Sequence, residues 1–228
     1  MNLSSVAARS APLGLVLRGA FWPRPDDGVP ALSPGREVGT LVLLGWVGRS
    51  GYGAFAASPE AADGLPDPLD RWSKRQVDAL AADLGAHPLY PFGGPPYHPF
   101  QRWAQRAEPV TPSPLGLLIH PRWGLWHSYR GALAFAELLD SPSHPPAPSP
   151  CESCENRPCL SACPVGAFSG RGYDVEACAA HLRAPEGAPC RELGCLARRA
   201  CPVGCLEAYG PAQSTFHMAA FIAARGDT

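Results

Sequence analysis

The sequence predicts a mixed α+β fold followed by a small domain organised by cysteines, and three observations lead there. In the first 140 residues, short apolar runs bounded by glycine and proline are interleaved with a long helical pattern. Residues 141–150 carry five prolines in ten, which makes a stiff, extended connector rather than a packed element. All nine cysteines lie beyond it, from Cys151 to Cys205. The expected organisation is an α+β domain at 1–140, a linker at 141–150, a cysteine-rich domain at 151–210 and a docking helix at 211–228.

The N-terminal stretch Met1–Ala20 is interrupted by Arg18 and has no small-residue cleavage site, so it reads as a strand rather than a signal peptide. Leu13–Phe21 and Val38–Val47 have the look of buried strands. The glycine-dense Gly45–Gly53 that follows matches neither the dinucleotide fingerprint nor the P-loop pattern and reads as a turn. Pro68–Leu84 repeats Leu69, Trp72, Val77, Leu80 and Leu84 at near-helical spacing, with Asp67 and Pro68 as a start and Gly85 as a stop. His87–Phe100 is a proline-broken aromatic loop that packs on a core or lines a pocket, and a short helix is expected at Gln101–Arg106. Leu115–His120 reads as a strand that turns at Pro121–Gly124 and returns along Leu125–Ala136. If the return is a strand, Trp126, Ser128 and Arg130 share a face; if it is a helix, Trp126 and Arg130 still do. Pro211–Arg225 places Phe216, Ala220 and Phe221 in helical register and is expected to dock on one of the domains.

Composition narrows the classes. At 228 residues the chain accommodates one sizeable core and a small second domain. A net charge of −1 gives no electrostatic reason to expect nucleic acid or an anionic membrane as partner. No apolar run approaches a transmembrane helix, so no membrane partner is expected. Thiolate chemistry favours a reducing compartment, and a cytoplasmic location is expected.

The cysteines carry the chemistry. Cys151, Cys154, Cys159 and Cys163 follow C-x2-C-x4-C-x3-C-P, and Cys190, Cys195 and Cys201 form a second run that also ends in Cys-Pro. A tight loop offers three thiolates to one cubane while the cysteine before proline reaches another, so two such runs interlock over two [4Fe–4S] clusters. Zinc needs only four ligands and usually takes two separated pairs. Disulfides suit shorter, secreted chains with even cysteine counts, and cysteines that are merely buried do not fall at ligand spacing. By the crosswise rule Cys151, Cys154, Cys159 and Cys201 hold one cluster. Cys163 joins three of Cys178, Cys190, Cys195 and Cys205 on the other.

Residues 151–205 resemble the ferredoxin domain of epoxyqueuosine reductases and, more distantly, that of reductive dehalogenases. In the former an isolated cysteine after a short acidic stretch is a cluster ligand, and Cys178 in Asp174-Val-Glu-Ala-Cys178 matches it. The resemblance implies Cys163, Cys178, Cys190 and Cys195 as the second set and leaves Cys205 spare. The closing run, C-x4-C-x5-C-P, is longer here than the family's C-x2-C-x3-C-P, and the first run also has one enlarged gap.

His120-Pro-Arg-Trp-Gly-Leu-Trp-His-Ser-Tyr-Arg-Gly131 resembles the H-P-R-F-G-x-W-x-x-x-R-G segment of CblC-type cobalamin-processing proteins; Tyr90-Pro-Phe and Leu41–Leu44 fit the same pattern more weakly. The resemblance implies a nitroreductase-like domain, a corrinoid site at His120, Trp126 and Arg130, and reductive chemistry on cobalamin or through it. The expected function is an iron–sulfur oxidoreductase passing electrons through two clusters to a bound corrinoid, for cobalamin reduction, upper-ligand removal or corrinoid-dependent reduction. Its partners would be an electron-donor protein (a ferredoxin, flavodoxin or reductase) and a small-molecule or corrinoid ligand. A ferredoxin-like carrier with a partner-recognition domain and no catalysis needs only the cysteines. A flavin enzyme has the fold resemblance but no basic phosphate-binding pattern. On that plainer view Trp126 and Arg130 simply stack and His120 caps a strand end. No general acid stands out among Tyr90, Tyr97, Tyr129 and the acidic residues.

Overall fold

An uninterrupted apolar run forms a strand with little access to water, and Thr40–Val47 is buried over its first seven residues. The computed structural model describes residues 1–140, 147–169 and 172–226. Its main sheet has four antiparallel strands: β1 (Val16–Phe21), β2 (Thr40–Val47), β3 (His87–Leu89) and β4 (His127–Phe135), in the order β1-β2-β4-β3. The whole is a mixed α+β chain.

The helix Pro68–Leu84 buries Leu69, Trp72, Val77, Leu80, Ala81 and Leu84 along one face and stops at Gly85, whose φ of 65° suits glycine. Trp72 lies 5.3 Å from Trp46 of β2, ring to ring, and Phe55 packs beside both. The helix Phe100–Ala107 adds Phe100, Trp103, Ala104 and Ala107 to the core.

Two residues interrupt the register of β2 with its neighbours. Leu17 and Gly19 face Leu44 and Leu43, so Arg18 is extra on β1; Tyr129 and Gly131 face Gly45 and Leu44, so Arg130 is extra on β4. Such bulges re-aim a side chain. Arg18 is wholly buried and donates to the Trp46 carbonyl and to Glu108, both at 2.7 Å. Tyr129 donates to the same Glu108 oxygen, and its ring lies 5.1 Å from the Arg18 guanidinium.

The N-terminal stretch differs from expectation. Leu3–Ser10 is a helix and the strand begins only at Val16. The Asn2 side chain accepts the Ser5 N–H at 2.9 Å, and Val6 and Ser10, one turn apart, are buried. Along 127–135 the strand prevails over a helix, and the bulge at Arg130 breaks the alternation on which a shared Trp126–Arg130 face depends. Trp126 itself precedes the strand.

The chain divides into two compact units; one boundary falls within the proline-rich stretch, before Ala147, and a second segment, Val110–Trp126, is grouped with the cysteines. One contains Met1–Pro109 and β4; the other contains Val110–Trp126 and the chain from Ala147 onward. Of the proline-rich segment, residues 141–146 lie outside the described residues.

In the second unit Thr111–Pro112 pairs with Leu118–Ile119, and His120 bridges Gly124. The apolar run 115–120 starts in a turn, with Gly116 N–H donating to Ser113 and Ser113 N–H to Leu117. Leu115, Ile119 and Leu125 then bury against Ala197 and Cys201. Gly124, at φ 58°, sits where a Cβ would lie 1.9 Å from the Val203 carbonyl oxygen, so the two backbones meet there only because the residue is glycine. Helices Pro158–Ser161, Val175–Arg183, Ala188–Leu193 and Leu196–Arg199 carry or flank the cysteines. The C-terminal helix Pro211–Ala223 packs on Ala188–Leu193 in the same unit. No helix among the described residues is long and apolar enough to cross a membrane.

Candidate metal centre

Short helical turns position the thiols of the second unit. Pro158 opens the turn that carries Cys159, its fixed φ suiting the first helical position. Arg157 before it lies at φ 37°, a left-handed conformation uncommon outside glycine. Cys190 rides on Ala188–Leu193 and Cys195 precedes Leu196–Arg199.

Two groups of four thiols emerge. Burial pushes the Cys159 thiol up, and the charges of Cys151 and Cys154 push it further. Burial likewise raises Cys201, opposed by the Val203 N–H and reinforced by Cys151, Cys159 and Cys154. These four line a small, largely enclosed cavity with Ile119, Pro150, Pro158 and Val203. In the other group burial raises Cys190 and Cys195, and each is raised further by Cys163 and Cys178. Backbone N–H groups face these sulfurs: Leu196 to Cys190, Arg198 and Ala197 to Cys195, and Ala167 to Cys163 at 3.4 Å. The His181 ring nitrogen lies 3.8 Å from the Cys190 sulfur. Cys205 is exposed in a separate turn, Cys205–Glu207.

Burial and mutual repulsion disfavour free thiolates here, while the N–H groups aimed at the sulfurs would favour them. Thiols that repel one another when ionised, yet receive N–H bonds, suit a group that keeps them deprotonated. Among the described residues no three His, Cys, Asp or Glu side chains converge tightly enough to hold one metal ion. A cubane places each thiolate on a different iron, so two groups of four thiols fit it.

The three residues matched to a corrinoid site are placed as follows. His120 is buried, and its Nδ1 accepts the N–H groups of Arg122 and Trp123 at 3.0 and 3.3 Å; its ring stacks on Trp123 at 3.9 Å. Trp126 is buried and meets Tyr209 edge-on, and the Arg198 guanidinium lies 4.4 Å from its ring and 4.5 Å from that of Tyr209. Both belong to the second unit. Arg130 belongs to the first, where it pairs with Asp70 at 3.9 Å and lies 5.7 Å from the Trp46 ring. Among the tyrosines, Tyr97 is exposed, Tyr90 donates to Asp78 and Tyr129 to Glu108. Burial first, and then the adjacent carboxylate, raises both Tyr90 and Tyr129, so they hold their protons more tightly than a general acid near neutral pH should.

Sequence reasoning passed over several side chains at the thiols. Ser149 accepts the Cys151 backbone N–H at 3.4 Å, Tyr173 lies near Cys178, and Arg198 is held between two rings. Ser149 stands two residues before Cys151 and Tyr173 five before Cys178, so proximity along the chain was a usable signal. Thr111, which bonds to Ser149 from 38 residues away, offered none.

No family model and no curated protein matches this chain. Among solved structures, a selenomethionine-labelled epoxyqueuosine reductase is similar at 13% identity and a TM-score of 0.47, over 78% of this chain and 52% of that one. An epoxyqueuosine reductase with a tRNA-Tyr epoxyqueuosine-modified stem loop is similar at 12% identity and a TM-score of 0.48, over 88% of this chain and 64% of that one. The chain thus matches between half and two thirds of the length of these structures.

Proposed function

We propose that this protein is an iron–sulfur oxidoreductase that passes electrons through two [4Fe–4S] clusters to a bound corrinoid, in a reducing, cytoplasmic setting. The gathering of eight thiols into two groups of four supports the electron-transfer part. Cys151, Cys154, Cys159 and Cys201 would hold one cluster, and Cys163, Cys178, Cys190 and Cys195 the other. When bound, such clusters exchange single electrons at low potential. The chain's own part is to exclude water from the sulfurs, with Ile119, Pro158 and Val203 around the first group, and to direct backbone N–H groups at them. An electron-donor protein would supply the electrons. The corrinoid part rests on the likeness of His120–Gly131 to the CblC-type segment, with Arg130 as its polar contact.

A second reading keeps the clusters and drops the corrinoid: an electron carrier whose first unit recognises a partner protein. It is favoured by the engagement of His120 in its own turn and of Trp126 in the core of the second unit.

Anaerobic reconstitution with iron and sulfide, followed by hydroxocobalamin titration under visible spectroscopy, separates the readings. About eight irons per chain and a shifted corrin band, lost in Arg130→Ala, is the expected result. Eight irons with an unchanged corrin spectrum favours the carrier. Zinc in protein kept anaerobic throughout would sink both. Cys178→Ser should halve the iron while Cys205→Ser leaves it intact.

A further inference from the structure

A cation selects an anionic group only while its own charge is uncompensated, and the charges beside Arg130 are all on one helix. The bulge that inserts Arg130 into β4 brings its side chain to the first turn of the helix Pro68–Leu84. There the guanidinium lies 3.9 Å from the Asp70 carboxylate, too far for a hydrogen bond and close enough for direct Coulomb attraction. The Arg130 side chain is 17% exposed and that of Asp70 40%, so the cation is the more sheltered partner. Asp67 stands one turn before Asp70, and Lys74 and Asp78 follow at one-turn steps, paired with each other at 2.6 Å. Burial raises the pKa of Asp70, Arg130 opposes that rise and Asp67 adds to it, so the three charges feel one another. Trp46, whose ring lies 5.7 Å from the guanidinium, adds no charge. The two cations, Arg130 and Lys74, are thus met by three carboxylates, Asp67, Asp70 and Asp78. A carboxylate or phosphate brought to Arg130 would be repelled by that excess, whereas an amide carbonyl can accept from a guanidinium without the repulsion.

We propose that the group recognised at Arg130 is an uncharged amide rather than a carboxylate or phosphate, and that Asp70 enforces this choice by offsetting the Arg130 charge. This rests on the corrinoid reading above and names the part of the ligand concerned, a side-chain amide on the rim of the corrin ring. Asp70 acts through Arg130, so it is a specificity-determining residue and not a catalytic one. Its removal should change which corrinoids bind more than how tightly the amide form binds.

The test titrates the iron-loaded full chain, under visible spectroscopy, with hydroxocobalamin and with a set of its monocarboxylic acids, in each of which one side amide is a carboxylate. At least one acid should bind the parent more weakly than hydroxocobalamin. Asp70→Asn should narrow that gap by about two- to fivefold, and Asp70→Glu, which restores the charge, should reopen it. Asp67→Asn should narrow it in the same direction by less. The proposal is overturned if every acid binds the parent as tightly as hydroxocobalamin or more tightly. It is also overturned if Asp70→Asn weakens all the corrinoids equally, since that is what a merely structural role would do. If Asp70→Asn does not fold, Asp67→Asn decides alone: a narrowed gap supports the proposal and an unchanged one overturns it. A parent protein that leaves every corrin spectrum unchanged would remove the corrinoid reading itself, and this proposal with it.

Discussion

The two units reach a folded state by different means. Among the described residues, the largest fully buried side chains include Trp46, Trp72, Trp103, Phe55, Phe135 and five leucines in the first unit, while only Ile119 represents the second. The first unit has a four-stranded sheet and a helix of seventeen residues. The second has two-residue hairpins, helices mostly of four to nine residues, and cysteines sharing its core with Leu115, Ile119 and Leu125. Short helices are marginal without tertiary support, and small domains lacking a sufficient core need a metal or a covalent staple. The first unit is held by apolar burial, and under the proposed function the second would depend on what its thiols bind.

Stripping the metal is the strongest way to break this comparison. Chelating the iron should abolish amide-exchange protection across 110–126 and 147–226 while β1, β2 and β4 stay protected, because binding energy at such sites is folding energy. Protection retained in the second unit would show that its apolar residues suffice.

A smaller effect is expected inside the first unit. Glu108→Ala leaves the wholly buried Arg18 guanidinium without its carboxylate and takes the acceptor from Tyr129. Breaking a buried pair from one side costs about 3–5 kcal/mol. Urea unfolding followed by tryptophan fluorescence should register it, with cluster absorbance unchanged. Loss of cluster absorbance together with stability would mean that the units are not held separately.

The smallest effect concerns acid. Two hydrogen bonds from Arg75, at 2.5 and 2.9 Å, hold the Glu60 carboxyl down to about 2 from its ordinary 4.5. A carboxyl depressed in the folded state stabilises fully above its unfolded value and loses that contribution as pH falls through its folded one. The Glu60–Arg75 contribution should therefore be complete above about pH 4.5 and gone near pH 2. Unfolding midpoints of the iron-free protein between those limits should fall less steeply in Glu60→Gln. Equal slopes would show that the pair contributes nothing in solution.

Much of the first unit was legible along the chain. Pro68–Leu84 forms a helix with those bounds because its start, its stop and its apolar spacing agree, and Thr40–Val47 is buried as its composition requires. The helix Leu3–Ser10 was not, since a weakly apolar eight-residue segment is settled by its Asn2 cap and by burial of Val6 and Ser10. Cysteine spacing marked the candidate ligands because ligand loops are local, and chelate geometry is written in the gaps.

Other features were decided only in three dimensions. The sequence by itself determined the α+β character, the helix and strand signals with local punctuation, and the cysteine-rich make-up of the C-terminal region. Tertiary structure decided that Val110–Trp126 joins the cysteines, through Leu115, Ile119 and Leu125 and the close approach of Gly124 to Val203. It also assigned Arg130 to one unit and His120 and Trp126 to the other, and set Thr111 behind Ser149. Periodicity reports which face of an element is apolar. It cannot report which distant segment covers that face, because long-range burial depends on the shape of both surfaces.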